Sequence, residues 1–455
     1  MGRNQRRGFW SHLPYSLAFL GLLILILAGV NFLSQGNRGG KLSAVDAPPP
    51  VWAATDRQVD QLQERLRLQP TDAESYLQLG GVYLQKTRDT GDLSYYARAE
   101  EATLKALELS PNDARAMTLL GALMLGRHQF QEAEQWARRS LEINSHDASA
   151  YGVLGDAQVE LGQYEAAIES FQAMVDLKPN LSSYARVSYA RELMGGVAGA
   201  IEAMQMAVAS GRSGTESAAW AQVQLGDLYF NSGRIDAAAE HYQAAMRAFP
   251  GYHVALAALG KVRSAQGRYD EAIQLYRKAI AIVPQPATLT ALGDLYARVG
   301  QKEQAQLQYD TVELIARLAA INQQVYNREL SLFYSDHETK LDEALSLAQK
   351  EIAIRQDIHG YDTLAWALYK NNRPVEAASA MTSAMKLGTQ NPILYYHAGM
   401  IHYRLGDRAK AEEHLQHALA LNPHFSILFE DEARQTLAEL GGAVAWHGGP
   451  GVTTP

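Results

Sequence analysis

Residues 222–250 read QVQLGDLYFNSGRIDAAAEHYQAAMRAFP, and they decide the fold. Leu225-Gly226 is followed by Tyr229 and then by Gly233, seven residues after the first glycine. Ala238 comes twelve after Gly226, Tyr242 four further on, and Pro250 closes the stretch. The same order returns at Leu259-Gly260, with Gly267, Ala272, Tyr276 and Pro284, and at Leu292-Gly293, with Tyr296, Gly300, Ala305 and Tyr309. The glycines at 226, 260 and 293 lie 34 and 33 residues apart. A fixed period of this length marks a repeat in which each unit is one supersecondary element. Glycine and alanine at fixed places let two helices cross closely, the aromatic fills the gap to the next helix, and proline ends the second helix.

Outward from this stretch the register gives ten units. Upstream stand Leu79-Gly80 with Tyr83, Ala99 and Pro111, then Leu120-Gly121 with Ala133, then Leu154-Gly155 with Ala167, Phe171 and Pro179. A weaker unit has Ser188 in the glycine slot, with Gly195, Ala200 and Ala207. Downstream, one divergent unit carries Leu332 and Ala344, another Ala365 and Ala377. The last carries Ala398-Gly399, Gly406, Ala411, Ala418 and Pro423. The pattern closely resembles the tetratricopeptide repeat (TPR), W-x2-L-G-x2-Y, then A-x3-F, then P, over about 34 residues. The resemblance implies an all-α, right-handed solenoid of about ten helix pairs whose first helices line a concave face.

Two departures stand out. The first unit carries about seven extra residues around Thr87–Tyr96, and no glycine or proline lies between Gly300 and Gly360, so an overlong helix is expected there. Either could be a tolerated insertion or a docking feature.

The domains expected are a tail (1–14), a transmembrane helix (15–33), a linker (34–55), a TPR superhelix (56–425), a capping helix (426–440) and a disordered tail (441–455). Residues 15–33, YSLAFLGLLILILAGVNFL, carry no charge, and 19 residues suffice to cross a bilayer core. Arg3, Arg6 and Arg7 precede the run and favour a cytoplasmic N-terminus, with the body outside. A cleaved signal peptide is the rival reading, but Val45-Asp46-Ala47 precedes Pro48, which usually blocks cleavage. The string Arg6 to Trp10 also faintly resembles a twin-arginine signal. Gly36, Gly39, Gly40 and Pro48-Pro49-Pro50 make the linker.

The chain has 455 residues and no cysteine, which excludes disulfides and thiolate chemistry. Its net charge is −8, but residues 1–41 contain five cations and no acid, leaving 36 Lys and Arg against 49 Asp and Glu beyond them. An acidic body of this kind disfavours nucleic acid. There is no HExxH, GxSxG, P-loop or dinucleotide fingerprint, so no catalytic constellation and no cofactor are expected. Five of the 13 histidines (His397, His402, His414, His417 and His424) fall in or just after the last unit. Packing and surface roles are expected for them rather than metal ligation.

The resemblance carries groove positions onto particular residues. In the third to fifth units these are Asp156, Glu160, Tyr189, Glu192, Trp220, Asp227 and Phe230. In the last three they are Tyr326, Glu329, Phe333, Asp336, Asp362, Trp366, Tyr369, Tyr396, Met400 and Tyr403. This acidic and aromatic lining implies that a partner's extended segment or helix, one of basic character, lies there. Core packing is the alternative for each aromatic. Leu77, Gly81, Val223 and Asp227 stand where chaperone-tail adaptors carry Lys and Asn, so that subclass is not expected. The function read from the sequence is a non-enzymatic scaffold on a bacterial-type membrane. The alternatives are a chaperone-like or sensory receptor for secreted polypeptides, a regulatory subunit of a membrane complex and, from another class, an enzyme.

Overall fold

The computed structural model describes residues 53–321 and 327–441. Among the described residues there are only helices and their connections, with no strand. α1 (Ala53–Leu68) leads into ten antiparallel helix pairs. Pairs one to four are α2 (Ala73–Thr90) and α3 (Ser94–Leu109), α4 (Ala114–Gly126) and α5 (Phe130–Ile143), α6 (Ala148–Glu160) and α7 (Tyr164–Leu177), and α8 (Leu181–Leu193) and α9 (Val197–Ala209). Pairs five to seven are α10 (Glu216–Asn231) and α11 (Ile235–Ala248), α12 (His253–Ala265) and α13 (Tyr269–Ile282), and α14 (Pro286–Arg298) and α15 (Lys302–Ile321). Pairs eight to ten are α16 (Asn327–Asp336) and α17 (Leu341–Ile354), α18 (Ile358–Lys370) and α19 (Pro374–Ala384), and α20 (Pro392–Arg404) and α21 (Arg408–Leu421). α22 (Glu430–Glu439) follows.

The ends of these helices follow from local chemistry. Asp72, Asp113, Asp147, Asn180, Thr215 and Asp357 each accept a backbone N–H at the start of a first helix. That contact satisfies donors the helix itself leaves free. Most pairs then reverse through one residue of positive φ, at Gly91, Gly162, Gly195, Gly233, Gly267, Gly300 and Gly406, while pair eight uses two, Glu338 and Lys340. His128 and Asn372 take that place where the repeat lacks its second glycine, as short polar residues can. The first glycine has a different reason. A Cβ on Gly226, Gly260 or Gly293 would run into the ring of Tyr242, Tyr276 or Tyr309, the aromatic sixteen residues on.

The extra residues of the first unit lengthen α2 to 18 residues and leave a three-residue turn. The stretch without Gly or Pro contains α15, which at 20 residues is the longest helix described. α1 begins at Ala53, inside the stretch read as linker. The expected membrane helix at 15–33 lies outside the described residues, as do the tail at 1–14, the rest of the linker and residues 442–455. No described helix is long and apolar enough to cross a membrane.

The superhelix closes on itself. The turn inside pair three meets the loop after pair eight: Gln356 N donates to Glu160 O at 2.9 Å, and Ile358 N to Tyr164 Oη at 2.8 Å. The turn inside pair four meets the loop after pair nine, where the Thr389 hydroxyl donates to Leu193 O. Pair five meets the loop after pair ten, with Asn422 Nδ2 donating to Phe230 O at 2.9 Å. The side-chain bonds join residues 194, 196 and 192 apart. One turn therefore takes between five and six repeats of about 34 residues. The lengthened first unit joins the same seam, since a Cβ on Gly91 would lie 2.6 Å from Val283, in the loop after pair six.

Candidate functional site

The slot just after the first glycine holds a carboxylate in pairs three, five and seven. Asp156 holds Arg186 through two oxygens, at 2.8 and 2.6 Å. Asp227 accepts from Tyr242 Oη at 2.7 Å and has Lys261 Nζ at 3.5 Å. Asp294 accepts from Tyr309 Oη at 2.9 Å and has His337 Nε2 at 2.7 Å. Tyr189 and Trp220 are half-buried on the same run of helices.

Glu192 differs from these carboxylates. It is half-buried, and no cation lies within ion-pair distance of it among the described residues. Burial, and next the charge of Asp227, push its carboxyl up to about 7. An acid raised from 4.5 in this way is held most stably when protonated. Its contribution is complete below about pH 4.5 and is lost as the pH rises to about 7. Glu192→Gln is therefore expected to stabilise the protein by about 1–2 kcal/mol at pH 8 and to leave it unchanged at pH 4.5. Denaturant melts at both pH values check this, and equal gains at both would refute the assignment.

Much of the expected aromatic lining is covered in this structure. Phe230, Phe333, Trp366, Tyr369 and Tyr396 are buried, as is Met400. Trp366 stacks on Tyr369 and His397, with centroids at 4.9 and 4.0 Å, and donates Nε1–H to Asp336 at 2.8 Å. Asp362 is buried against His397 Nδ1 at 2.8 Å. Tyr396 donates to Glu432 at 2.6 Å. Tyr403 is exposed and donates to Glu439 at 2.8 Å; Glu329 is also exposed. Tyr326 lies outside the described residues. The tight curvature explains the burial, because successive first helices touch one another and enclose the rings between them. The histidines likewise pack: the rings of His402 and His414 are 5.5 Å apart, and His417 Nε2 pairs with Gln390 at 2.8 Å. No group of three metal-ligating side chains occurs among the described residues.

The seam brings together residues that the sequence keeps apart. Glu160 lies 2.6 Å from Arg355 Nε. Arg355 reaches Glu351 at 3.2 Å and stands over the Phe130 ring at 4.8 Å. Arg328 holds Asp357 at 2.5 Å and Glu351 at 3.5 Å. Burial pushes the Glu160 carboxyl up to about 7 against the pull of Arg355, while burial and the two arginines hold His128 down near 4. Sequence reasoning missed Arg328, Glu351, Arg355 and Asp357. One signal was present, since this loop reads Arg355-Gln356-Asp357 where other units place a proline.

The tetratricopeptide-repeat family models match residues 102–135, 148–181, 223–286 and 392–425, all within helix pairs of this array. The chain is a tetratricopeptide-repeat protein. Two human proteins are similar to part of this chain. Protein O-mannosyl-transferase TMTC1 is 26% identical over 223 residues, 47% of this chain and 24% of that one. Protein O-mannosyl-transferase TMTC3 is 25% identical over 191 residues, 38% of this chain and 20% of that one. The chain thus spans about a quarter or less of the length of the curated relatives it matches. Among solved structures, YrrB, a TPR protein with an unusual peptide-binding site, is 23% identical, covering 42% of this chain and 96% of that chain, with a TM-score of 0.29. The human IFIT1 dimer with m7Gppp-AAAA is 14% identical, covering 81% and 86%, with a TM-score of 0.46.

Proposed function

We propose that this TPR protein is a non-enzymatic scaffold tethered to a membrane through residues 15–33. In this reading the array lies on the extracytoplasmic side and binds an extended segment of a partner protein along the inner face of pairs three to five. Glu192 carries the reading. A half-buried carboxylate beside Asp227, without a cation of its own, favours a lysine or arginine side chain from outside, which would remove the cost of its charge. Asp156 and Asp227 extend the acidic row on either side. The uncharged run at 15–33 and its leading arginines support the tether and its orientation.

In-cell crosslinking, affinity purification and mass spectrometry of the full chain against a Glu192→Gln, Asp227→Asn variant test this. The expected result is one stoichiometric partner, lost from the variant. A partner retained in full would overturn the site. A broad set of weakly held secreted chains would favour the chaperone-like receptor instead. A reporter fused after Pro455 that is active only in the cytoplasm would overturn the orientation.

A further inference from the structure

The ends of the first helices of pairs five to seven already hold a segment. After pair ten the chain runs across the ends of pairs five and six, and the first turn of α22 then reaches pair seven. Leu421 O would lie 2.8 Å from a Cβ on Gly233, and Asn422 Nδ2 donates to Phe230 O at 2.9 Å, both in pair five. Further along, Asp431 pairs with Arg298 of pair seven at 2.6 Å. Between these anchors the segment and the repeats line an open-sided cavity of about 170 Å³, bordered by Phe230, Lys261, Ser264 and Asp294 on one side and Phe425 and Ile427 on the other.

The register of the facing residues is informative. Phe230 stands four after its first glycine, Lys261 and Ser264 one and four after theirs, and Asp294 and Arg298 one and five after theirs. The segment therefore contacts equivalent positions of three successive first helices. A short cap needs to cover only the last pair. This one packs Phe425 and Phe429 on Tyr396 of pair ten and also spans the edges of three distant pairs, between 133 and 192 residues earlier in the chain.

We propose that Asn422–Asp431 is an internal occupant of a segment-binding site on pairs five to seven, and that an outside partner binds there by displacing it. The proposal rests on the reading of the inner face as a binding surface and assigns a second stretch of it. The occupant shows the chemistry that fits. It carries Ile427 at the cavity and, in the first turn of α22, a carboxylate for Arg298, while Phe425 and Phe429 pack on Tyr396 of pair ten. Lys261 adds a second cation at the site, with its Nζ 4.1 Å from the Phe230 ring centroid. The displacing partner is thus an apolar and acidic segment, opposite in charge to the one expected at Glu192. A tethered occupant competes at an effective concentration on the order of millimolar, so an outside segment binds appreciably only when the internal one is loosened.

The test uses the full chain in detergent and a fluorescent peptide of residues 421–434. Asp431→Lys sets like charges against each other at Arg298 and loosens the occupant. The peptide, which keeps Asp431, is expected to bind this variant about tenfold more tightly than the unaltered chain, and to lose that binding when Lys261→Glu and Arg298→Glu are added. Asn422→Ala, remote from the core of α22, should shift affinity in the same direction. Hydrogen exchange over residues 392–421 verifies that pair ten stays folded in both. Equal binding to loosened and unaltered chains, or none to either loosened variant, overturns the proposal. If it is overturned while the partner is still lost from the Glu192→Gln, Asp227→Asn variant, the site at Glu192 stands alone. Peptide binding to the loosened chains, with that partner retained by the variant, leaves the site on pairs five to seven standing and removes the one at Glu192.

Discussion

Trp366→Ala is expected to melt the last three pairs, and it should not behave as a binding-site mutation. The side chain is fully buried, stacked between Tyr369 and His397, and donates its only polar hydrogen to Asp336. Truncating a buried tryptophan costs about 3–5 kcal/mol in lost burial and cavity. The Asp336 carboxylate then loses a donor inside the fold, which adds about 1–3 kcal/mol. Burial already pushes that carboxyl up to about 6, against the pull of His397 and of this hydrogen bond. Repeats are stabilised mainly by their neighbours, so the damage should stay local. Hydrogen exchange should accelerate in α16 to α21 and remain slow in α4 to α9. Tyr403→Ala, at an exposed ring on the same face, should stay within about 0.5 kcal/mol of the unaltered protein. Unchanged exchange in α16 to α21 would show that the packing described for Trp366 is wrong.

Arg355→Met should open the seam. The guanidinium stands between Glu160 and Glu351, the latter almost wholly buried, and covers the Phe130 ring. Removing one side of a buried ion-pair group leaves uncompensated charge and costs about 3–5 kcal/mol. An open array, held only by contacts between adjacent pairs, would lose pair eight alone. This one should also lose the hold of the loop after pair eight on the turn inside pair three, because Gln356 and Ile358 make their bonds to Glu160 and Tyr164 from that loop. The radius of gyration from small-angle scattering should rise, and amides near Glu160 and Gly162 should exchange faster. Adding Glu160→Gln should recover part of the loss. A variant with the dimensions and exchange of the parent would mean that the ion-pair group does not hold the turns together.

The repeat was legible because its causes are local. A glycine faces an aromatic sixteen residues on, a second residue of positive φ turns the chain, and an acidic, amide or hydroxyl side chain caps most of the first helices. Each of these lies within about one period, so register alone located all ten pairs. The acidic side chains carried over to the inner face, Asp156, Glu192 and Asp227, follow the same register and lie on the first helices of pairs three to five. The fate of Trp366, Tyr369 and Tyr396 did not follow from register. The same slot is open or closed according to how sharply the array curves, and curvature sums small rotations over many pairs.

The sequence by itself determined the helix pairs, their order and the absence of a cysteine-based chemistry, since these depend on residue type and short-range spacing. Only the tertiary structure decided that one turn takes between five and six repeats. From that closure follow the meeting of Glu160 with Arg355, the contact of Gly91 with Val283, and the passage of Asn422–Asp431 across pairs five to seven. The partners in these contacts lie more than one hundred residues apart, and no local pattern encodes a separation that depends on the accumulated twist of the whole array.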